Sequence, residues 1–291
     1  ACGHDGHTAV GLTVARMLTS HRQALTGTVK FVFQPAEEGL GGADAMVKAG
    51  LLQDPRPDYA LAIHVWNENQ IGWLGITPGP IMAAADIFRI KITGKGGHGA
   101  APHQTIDPVL AACQVVTSLQ SIVSRNIHPL ESAVVSVTSI QGGTAFNIIP
   151  PDVVMMGTIR TFKPDVRQVV LDRFREITNG ISESLGCTAH LEVTPVTPAV
   201  SNDPELTRKV QAVAARLFPD DTVASDSVTM GSEDFAYMMQ DFPGCFVFVG
   251  SANPAAGLDA KHHHPKFDFD ELALVKATAL VAAVTSEILS K

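Results

Sequence analysis

The chain has 291 residues, of which 45% are hydrophobic and 17% charged, and its formal net charge is −8. That balance excludes a disordered chain, and the acidic surplus works against capture of a nucleic-acid backbone. No apolar stretch is expected to approach the roughly 20 residues of a membrane span, and the opening ACGHDGH lacks the basic-then-apolar order of a signal peptide.

Cys2, Cys113, Cys187 and Cys245 are few and widely spaced, unlike a disulfide framework. Together these features predict a soluble cytoplasmic protein with no membrane or nucleic-acid partner. The length favours two domains. A start at Ala1 rather than Met, directly in a segment rich in His, reads as the beginning of a fragment.

In chain order, GTVKFVF (27–33) and YALAIHV (59–65) are short, apolar and β-branched, and read as buried strands. The segment 42–52 between them has helical composition. Residues 86–93 (DIFRIKIT) alternate as a half-buried strand, and 107–125 carry Val109, Leu110, Ala112, Cys113, Val116, Leu119 and Val123 at helical spacing.

Strands are expected at 133–140 and 152–161, and a helix over 163–185 with Pro164 near its start and Gly186 as its stop. A strand at 188–193 completes a β-α-β-β-α-β order, the ferredoxin-like signature. A helix at 203–217, a strand at 245–249 and a helix at 271–289 then resume the α/β pattern. The expected architecture is one α/β domain, residues 1–82 and 196–291, interrupted by an inserted block at 83–195.

Several segments supply side chains that suit a metal, although any one of them alone is more often a packed or hydrogen-bonded structural residue. Cys2 and His4 stand two apart, and Asp5 could orient a ligand. The plainer alternative there is a helix start capped by Asp5, with His7 exposed. Glu37 and Glu38 directly follow an apolar strand, where adjacent carboxylates repel each other unless a cation is near. One could then bind metal while the other moves protons. His64 lies near a strand end, where α/β sheets build their sites; the alternative is a core histidine bonded to the backbone. His262, His263 and His264 could equally be a solvated loop.

The motifs ACGHDGH, QPAEEG, AIHVW, GKGGHGAAPH, GGTAFNIIP, GTIRTF, MGSEDFA and HHHPKFDFDE together resemble the M20 metallopeptidase and amidohydrolase family. The resemblance is to the branch of hippurate hydrolase, N-acyl amino acid amidohydrolases and auxin-conjugate hydrolases. It implies a zinc-peptidase-like catalytic domain with an inserted ferredoxin-like dimerisation lid.

Carried over residue by residue, the resemblance makes Cys2, His4, Glu38, His64 and His263 the ligands of two divalent ions, Zn or Mn, and Glu37 the general base. His263 is chosen over its neighbours only because it stands two before the Pro of an HxPxF pattern. His98 would polarise the substrate carbonyl from a neighbouring subunit, Asn147 and Arg160 would bind the substrate's carboxylate or backbone, and Ser232 would line the pocket. Without the resemblance, Asn147 reads as a turn residue and Arg160 as a strand-edge charge.

Family members carry a segment ahead of ACGHDGH that completes the sheet, and it is expected to be missing here. The implied reaction is hydrolysis of the amide of an N-acyl amino acid by a homodimer. A dipeptidase or carboxypeptidase on the same site, or a non-catalytic dimerising protein, are the alternatives.

Overall fold

A computed structural model describes residues 1–39 and 41–290. In chain order, helices α1 (His4–Ser20) and α2 (Gly42–Lys48) precede strands β1 (Ala60–Gln70), β2 (Trp73–Gly75), β3 (Gly79–Met82), β4 (Ala84–Thr93) and β5 (Gly97–His98). Helix α3 (Pro108–Ser121), strands β6 (Ala133–Gln141), β7 (Ile148–Ile149) and β8 (Asp152–Thr161), helix α4 (Pro164–Ser184) and strand β9 (Thr188–Thr197) follow. The chain closes with β10 (Val200–Asn202), α5 (Pro204–Leu217), β11 (Thr222–Ala224), β12 (Gly244–Ala252) and α6 (Leu272–Leu289). Two compact units result: residues 1–81, 200–229 and 233–291 form one, and residues 82–199 with 230–232 the other.

The first unit is built on a mixed sheet in the order β1-β12-β2-β11, with β1 parallel to β12 and β12 antiparallel to β2. One face of this sheet, carrying Val65, Leu74, Val247 and Val249, is buried under α1, α5 and α6. Because side chains alternate along a strand, His64, Trp66, Phe246 and Phe248 lie on the other face, where their rings meet. Burial on both faces explains why GCFVFVGSA reads as a continuous apolar run rather than an alternating one.

The second unit has an antiparallel sheet in the order β6-β8-β4-β9, with Val115, Leu119, Val170 and Phe174 of α3 and α4 packed on Phe88, Ile90, Val153 and Met155. Asp107 caps α3, its carboxylate accepting from the Val109 and Leu110 amides at 2.8 and 3.2 Å. Asp86, 1% exposed, binds Arg167 of α4 through both oxygens at 2.8 and 2.5 Å, which ties the first turn of that helix to β4.

Three expectations are corrected. Residues 27–33 form no strand: their backbone makes no ladder with any described strand, and Phe31, Val32 and Phe33 are partly exposed. The segment is instead pinned by Lys30, whose ammonium donates to the Leu51, Asp54 and Pro55 carbonyls. An apolar, β-branched run needs a neighbouring strand to become one, and none of the described strands lies beside it.

The chain does start in a helix, 17 residues long, but Gly3, not Asp5, is its N-cap. Val10, Val14 and Leu18 are its buried stripe, a spacing of four that was open to view in the sequence. Finally, α6 has 18 residues and a mean hydropathy of 1.8, long and apolar enough by composition to cross a membrane. Its Ala273, Ala277 and Leu280 pack on α1, α5 and the sheet, while Leu272 and Val275 on the other side are exposed.

Candidate metal centre and active site

Three stretches of the first unit converge at the N-terminus of α1. Gly3 makes the approach possible: its φ is +88°, and a Cβ there would stand 2.5 Å from Val65 Cγ2 on β1. Cys2 and His4 are thereby set against the middle of β1, which runs past the strand end expected near His64, with Cys2 Sγ 3.6 Å from His64 Nε2.

The carboxylates arrive on a turn whose shape is also forced. Ala36 has φ +58°, and Gly42 sits so close to the Pro35 carbonyl that a Cβ would lie 1.7 Å from its oxygen. Asp234, 1% exposed, holds both flanks of this turn, accepting from Gln34 Nε2 at 2.5 Å and from the Ala43 amide at 2.9 Å. Glu37 then stands 3.7 Å from His4 Nε2. Glu38 stands 4.0 Å from His4 Nε2 and 3.9 Å from His263 Nε2.

Cys2, His4, Glu37, Glu38, His64 and His263 therefore come together in overlapping groups. The histidine tautomers sort their roles. His64 Nδ1 donates to the Val65 carbonyl at 2.5 Å, which leaves Nε2 with a free lone pair facing Cys2. His7, taken at most as an exposed residue, is instead a half-buried neighbour of His64 whose Nε2 accepts from the Val65 amide at 3.0 Å. His262 lies on another side of His64, ring centroids 5.3 Å apart, with its Nδ1 3.4 Å from Cys2 Sγ, while its Nε2 accepts from the Asn67 amide at 3.1 Å. Asp5 is exposed in the first turn of α1.

Charge in this cluster is one-sidedly penalised. Burial, then Glu38 and Glu37, push the Cys2 thiol up to about 11. Burial, then Asp234 and Glu38, raise Glu37 to about 7, and burial with Glu37 raises Glu233 to about 8. Burial holds His64 down to about 3 and His262 to about 4. Neutral imidazoles surrounded by acids that are costly to ionise are the donor set a cation would relieve. The spacing agrees. A thiolate and an imidazole bonded at about 2.3 and 2.0 Å to one tetrahedral ion stand roughly 3.5 Å apart, close to the 3.6 Å between Cys2 Sγ and His64 Nε2.

Glu233 and Asp234 were missed by sequence reasoning, although SED repeats the signal that EE gave, adjacent acids beside an apolar segment. Both are buried, at 8% and 1% exposure, and each offers an oxygen within 4.8 Å of Glu37.

Beside the cluster, Trp66 packs on His262 and forms one wall of a cavity of about 320 Å³ shared with Trp73, Phe248, Asp226, Ser227 and Thr229. Gly75 leaves room for the Trp73 ring, which a Cβ would meet at 2.5 Å.

The remaining site residues lie in the second unit. His98 ends β5 and is exposed; its Nδ1 accepts from the Ala100 amide at 3.0 Å, so a neutral ring carries its proton on Nε2. Asn147 is exposed on the adjoining turn and accepts the Gly99 amide at 2.8 Å through its carbonyl, which places it beside His98. Arg160, in β8, is half-buried; burial lowers its pKa while Asp86 raises it, and among the described residues its guanidinium forms no ion pair. Ser232 is half-buried.

The model of peptidase family M20/M25/M40 matches residues 1–287. The chain is 40% identical over 289 residues to the N-acetylcysteine deacetylase of Bacillus subtilis, covering 99% of this chain and 74% of that protein. It is 38% identical to thermostable carboxypeptidase 2 of Saccharolobus solfataricus, covering 98% of this chain and 72% of the relative. Among solved structures, a dinuclear metal binding peptidase of Bacillus subtilis superposes with a TM-score of 0.82 at 35% identity, covering 99% of this chain and 72% of that one.

Proposed function

The chain belongs to peptidase family M20/M25/M40 and is a metal-dependent amidohydrolase or peptidase, and from that premise we propose that it hydrolyses the amide of N-acyl amino acids, hippurate-like substrates included. The observation that carries the reading is the meeting of a thiol, three imidazoles and two carboxylates in overlapping groups beside β1. Cys2, His4, Glu38, His64 and His263 would hold two divalent ions, Zn or Mn; thiolate favours the former, while imidazole and carboxylate accept either. When bound, the ions lower the pKa of a shared water and polarise the amide carbonyl.

Glu37 takes the proton of the attacking water. Its raised pKa, about 7, sets it near the crossing between accepting and releasing a proton. It then delivers that proton to the departing amine nitrogen. His98, with Nε2–H exposed, is a donor suited to the developing oxyanion, supplied by a second copy of the chain in a homodimer formed through the lid. Arg160 and Asn147 bind the substrate carboxylate, and Ser232 lines the pocket. The Trp66 cavity has the size for a small acyl group. The four unpaired cysteines suit a reducing, cytoplasmic setting.

A second reading is favoured by the carboxypeptidase relative. The test is metal counting by mass spectrometry together with turnover of hippurate, N-acetyl amino acids and dipeptides. Hydrolysis of N-acyl amino acids with two ions per chain supports the proposal. Turnover of peptides alone moves the chain to the carboxypeptidases, and no turnover with both ions bound refutes it. Sedimentation showing a fully active monomer would remove the dimer and the role of His98.

A further inference from the structure

The three consecutive histidines near the C-terminus differ in what their ring nitrogens do. We propose that His262 is a positioning residue for the Cys2 sulfur, donating a hydrogen bond from Nδ1–H to Sγ and fixing the direction in which the sulfur faces an ion. Its purpose rests on the metal reading above; the hydrogen bond itself does not.

The backbone N–H of Asn67 points at His262 Nε2 from 3.1 Å, so the Nε2 lone pair is already used. A neutral imidazole that accepts at Nε2 carries its proton on Nδ1. Nδ1 lies 3.4 Å from Cys2 Sγ, so its N–H is directed at the sulfur, while the thiol's own hydrogen is left to face His64 Nε2 on the other side. His262 consequently keeps no free lone pair and is not itself a ligand. His64 has the opposite tautomer, with Nδ1–H spent on the Val65 carbonyl and the Nε2 lone pair 3.6 Å from the same sulfur. The sulfur is thus flanked by one ring that offers electrons and another that offers a hydrogen.

The ring of His262 has little freedom to turn. Trp66 and Phe267 lie at centroid distances of 5.1 and 5.0 Å, inclined by 35° and 34°. Asn67, which sets the tautomer, is 4% exposed and fully engaged. Its Nδ2 donates to the Ala260 and Asp268 carbonyls at 3.0 and 2.7 Å, and its Oδ1 accepts from Ser251 Oγ at 2.5 Å. One residue of β1 therefore fastens both ends of the 260–268 loop and orients the ring inside it. The next residue, His263, adopts φ +65° and turns its Nε2 towards Glu38. His264 turns back, its Nδ1 accepting from the Lys266 amide at 3.1 Å. Hydrogen bonds of this kind, made to a ligating atom from outside the ligand set, orient it and tune its electron density.

Protein labelled with 15N-histidine reports each ring's tautomer through long-range proton–nitrogen correlation. The expected result is His262 in the Nδ1–H form, with its Nδ1 resonance displaced in Cys2→Ser; an Nε2–H ring, or no response to Cys2→Ser, overturns the proposal. A second arm measures zinc affinity by chelator competition. His262→Phe keeps the stacking and removes the donor, and is expected to weaken binding about 10–100-fold, with His262→Gln, whose amide can donate, recovering part of the loss. Equal affinity in the Phe variant overturns the positioning role even with the expected tautomer. A parent that binds no zinc defeats the metal reading instead, and the tautomer then still decides whether the N–H···S bond exists. Should His262→Phe fail to fold, the Cys2→Ser spectra decide.

Discussion

Glu37 and Glu38 are adjacent and chemically identical, yet their surroundings predict opposite consequences for the same substitution. Glu38 lies between two imidazoles, 4.0 Å from His4 Nε2 and 3.9 Å from His263 Nε2. Glu37 approaches His4 at 3.7 Å but otherwise faces Glu233 and Asp234, and burial, then the charges of Asp234 and Glu38, raise its pKa to about 7. A carboxylate between two imidazoles is placed to share an ion with them, and one crowded by other carboxylates is placed as a base. Glu38→Gln removes an anionic donor and should lower metal content. Glu37→Gln keeps the shape and the ions but cannot accept the water's proton, so kcat should fall about 10²–10⁴-fold, or about 2.7–5.5 kcal/mol of barrier at 1.36 kcal/mol per tenfold. Metal counting and steady-state kinetics on the same preparations read both effects. If Glu37→Gln lost its ions while Glu38→Gln kept them, the assignment would be reversed, and full turnover by Glu37→Gln would end the general-base proposal.

Arg160→Ala should raise KM about 10–100-fold for substrates with a free carboxylate, the 1.5–3 kcal/mol of a charged hydrogen bond; an equal loss on the amidated substrate would make Arg160 structural. The metal-free protein should lose stability as pH rises above neutrality. Glu37 and Glu233 have folded pKa values of about 7 and about 8, above the ordinary 4.5, so their protonated forms favour the fold. That contribution is complete below about pH 4.5 and disappears as pH passes through 7 to 8. Below about pH 6.5 the buried imidazoles of His64 and His262, held down to about 3 and 4, act in the opposite sense, so the decline is read from about pH 7 to 8.5: melting temperatures of metal-free protein should fall across that window, less so in Glu233→Gln, and a slope unchanged by that substitution counts against the crowding. Asp86→Ala should destabilise by about 2–3 kcal/mol, below the usual 3–5 for a broken buried pair, because the Arg167 side chain is 31% exposed and can reach water. Urea unfolding that moves by less than about 1 kcal/mol would show the clasp to be dispensable.

Where one element settles its own hydrogen bonds and one buried face, the sequence was a sufficient guide. Residues 152–161 were expected as a strand and form β8 over the same range, and Pro164 near the start with Gly186 as the stop bracket α4, whose buried face carries Phe174. Where an element depends on a neighbour, it was not. Residues 27–33 have the composition of a strand and lack a described partner, and α6 has the composition of a membrane helix yet lays one face on the core of the first unit. The short strands β2, β3, β10 and β11, of three or four residues, are too brief for any periodicity to declare itself.

The candidate site divides along the same line. Residue types alone indicated which segments carry metal chemistry, because a thiol, several imidazoles and paired acids in an otherwise apolar chain need a common reason. They could not rank His262, His263 and His264, since three identical side chains in a row differ only in backbone direction and hydrogen-bond partners. What separates them is a positive φ at His263 and an amide at Asn67, nearly 200 residues away, that occupies one nitrogen of His262. The same holds for Asp234, whose two oxygens fasten the Glu37 turn from a distant segment. Identity as a donor is written in the residue, whereas the role of a donor is written in which of its lone pairs the fold has already used.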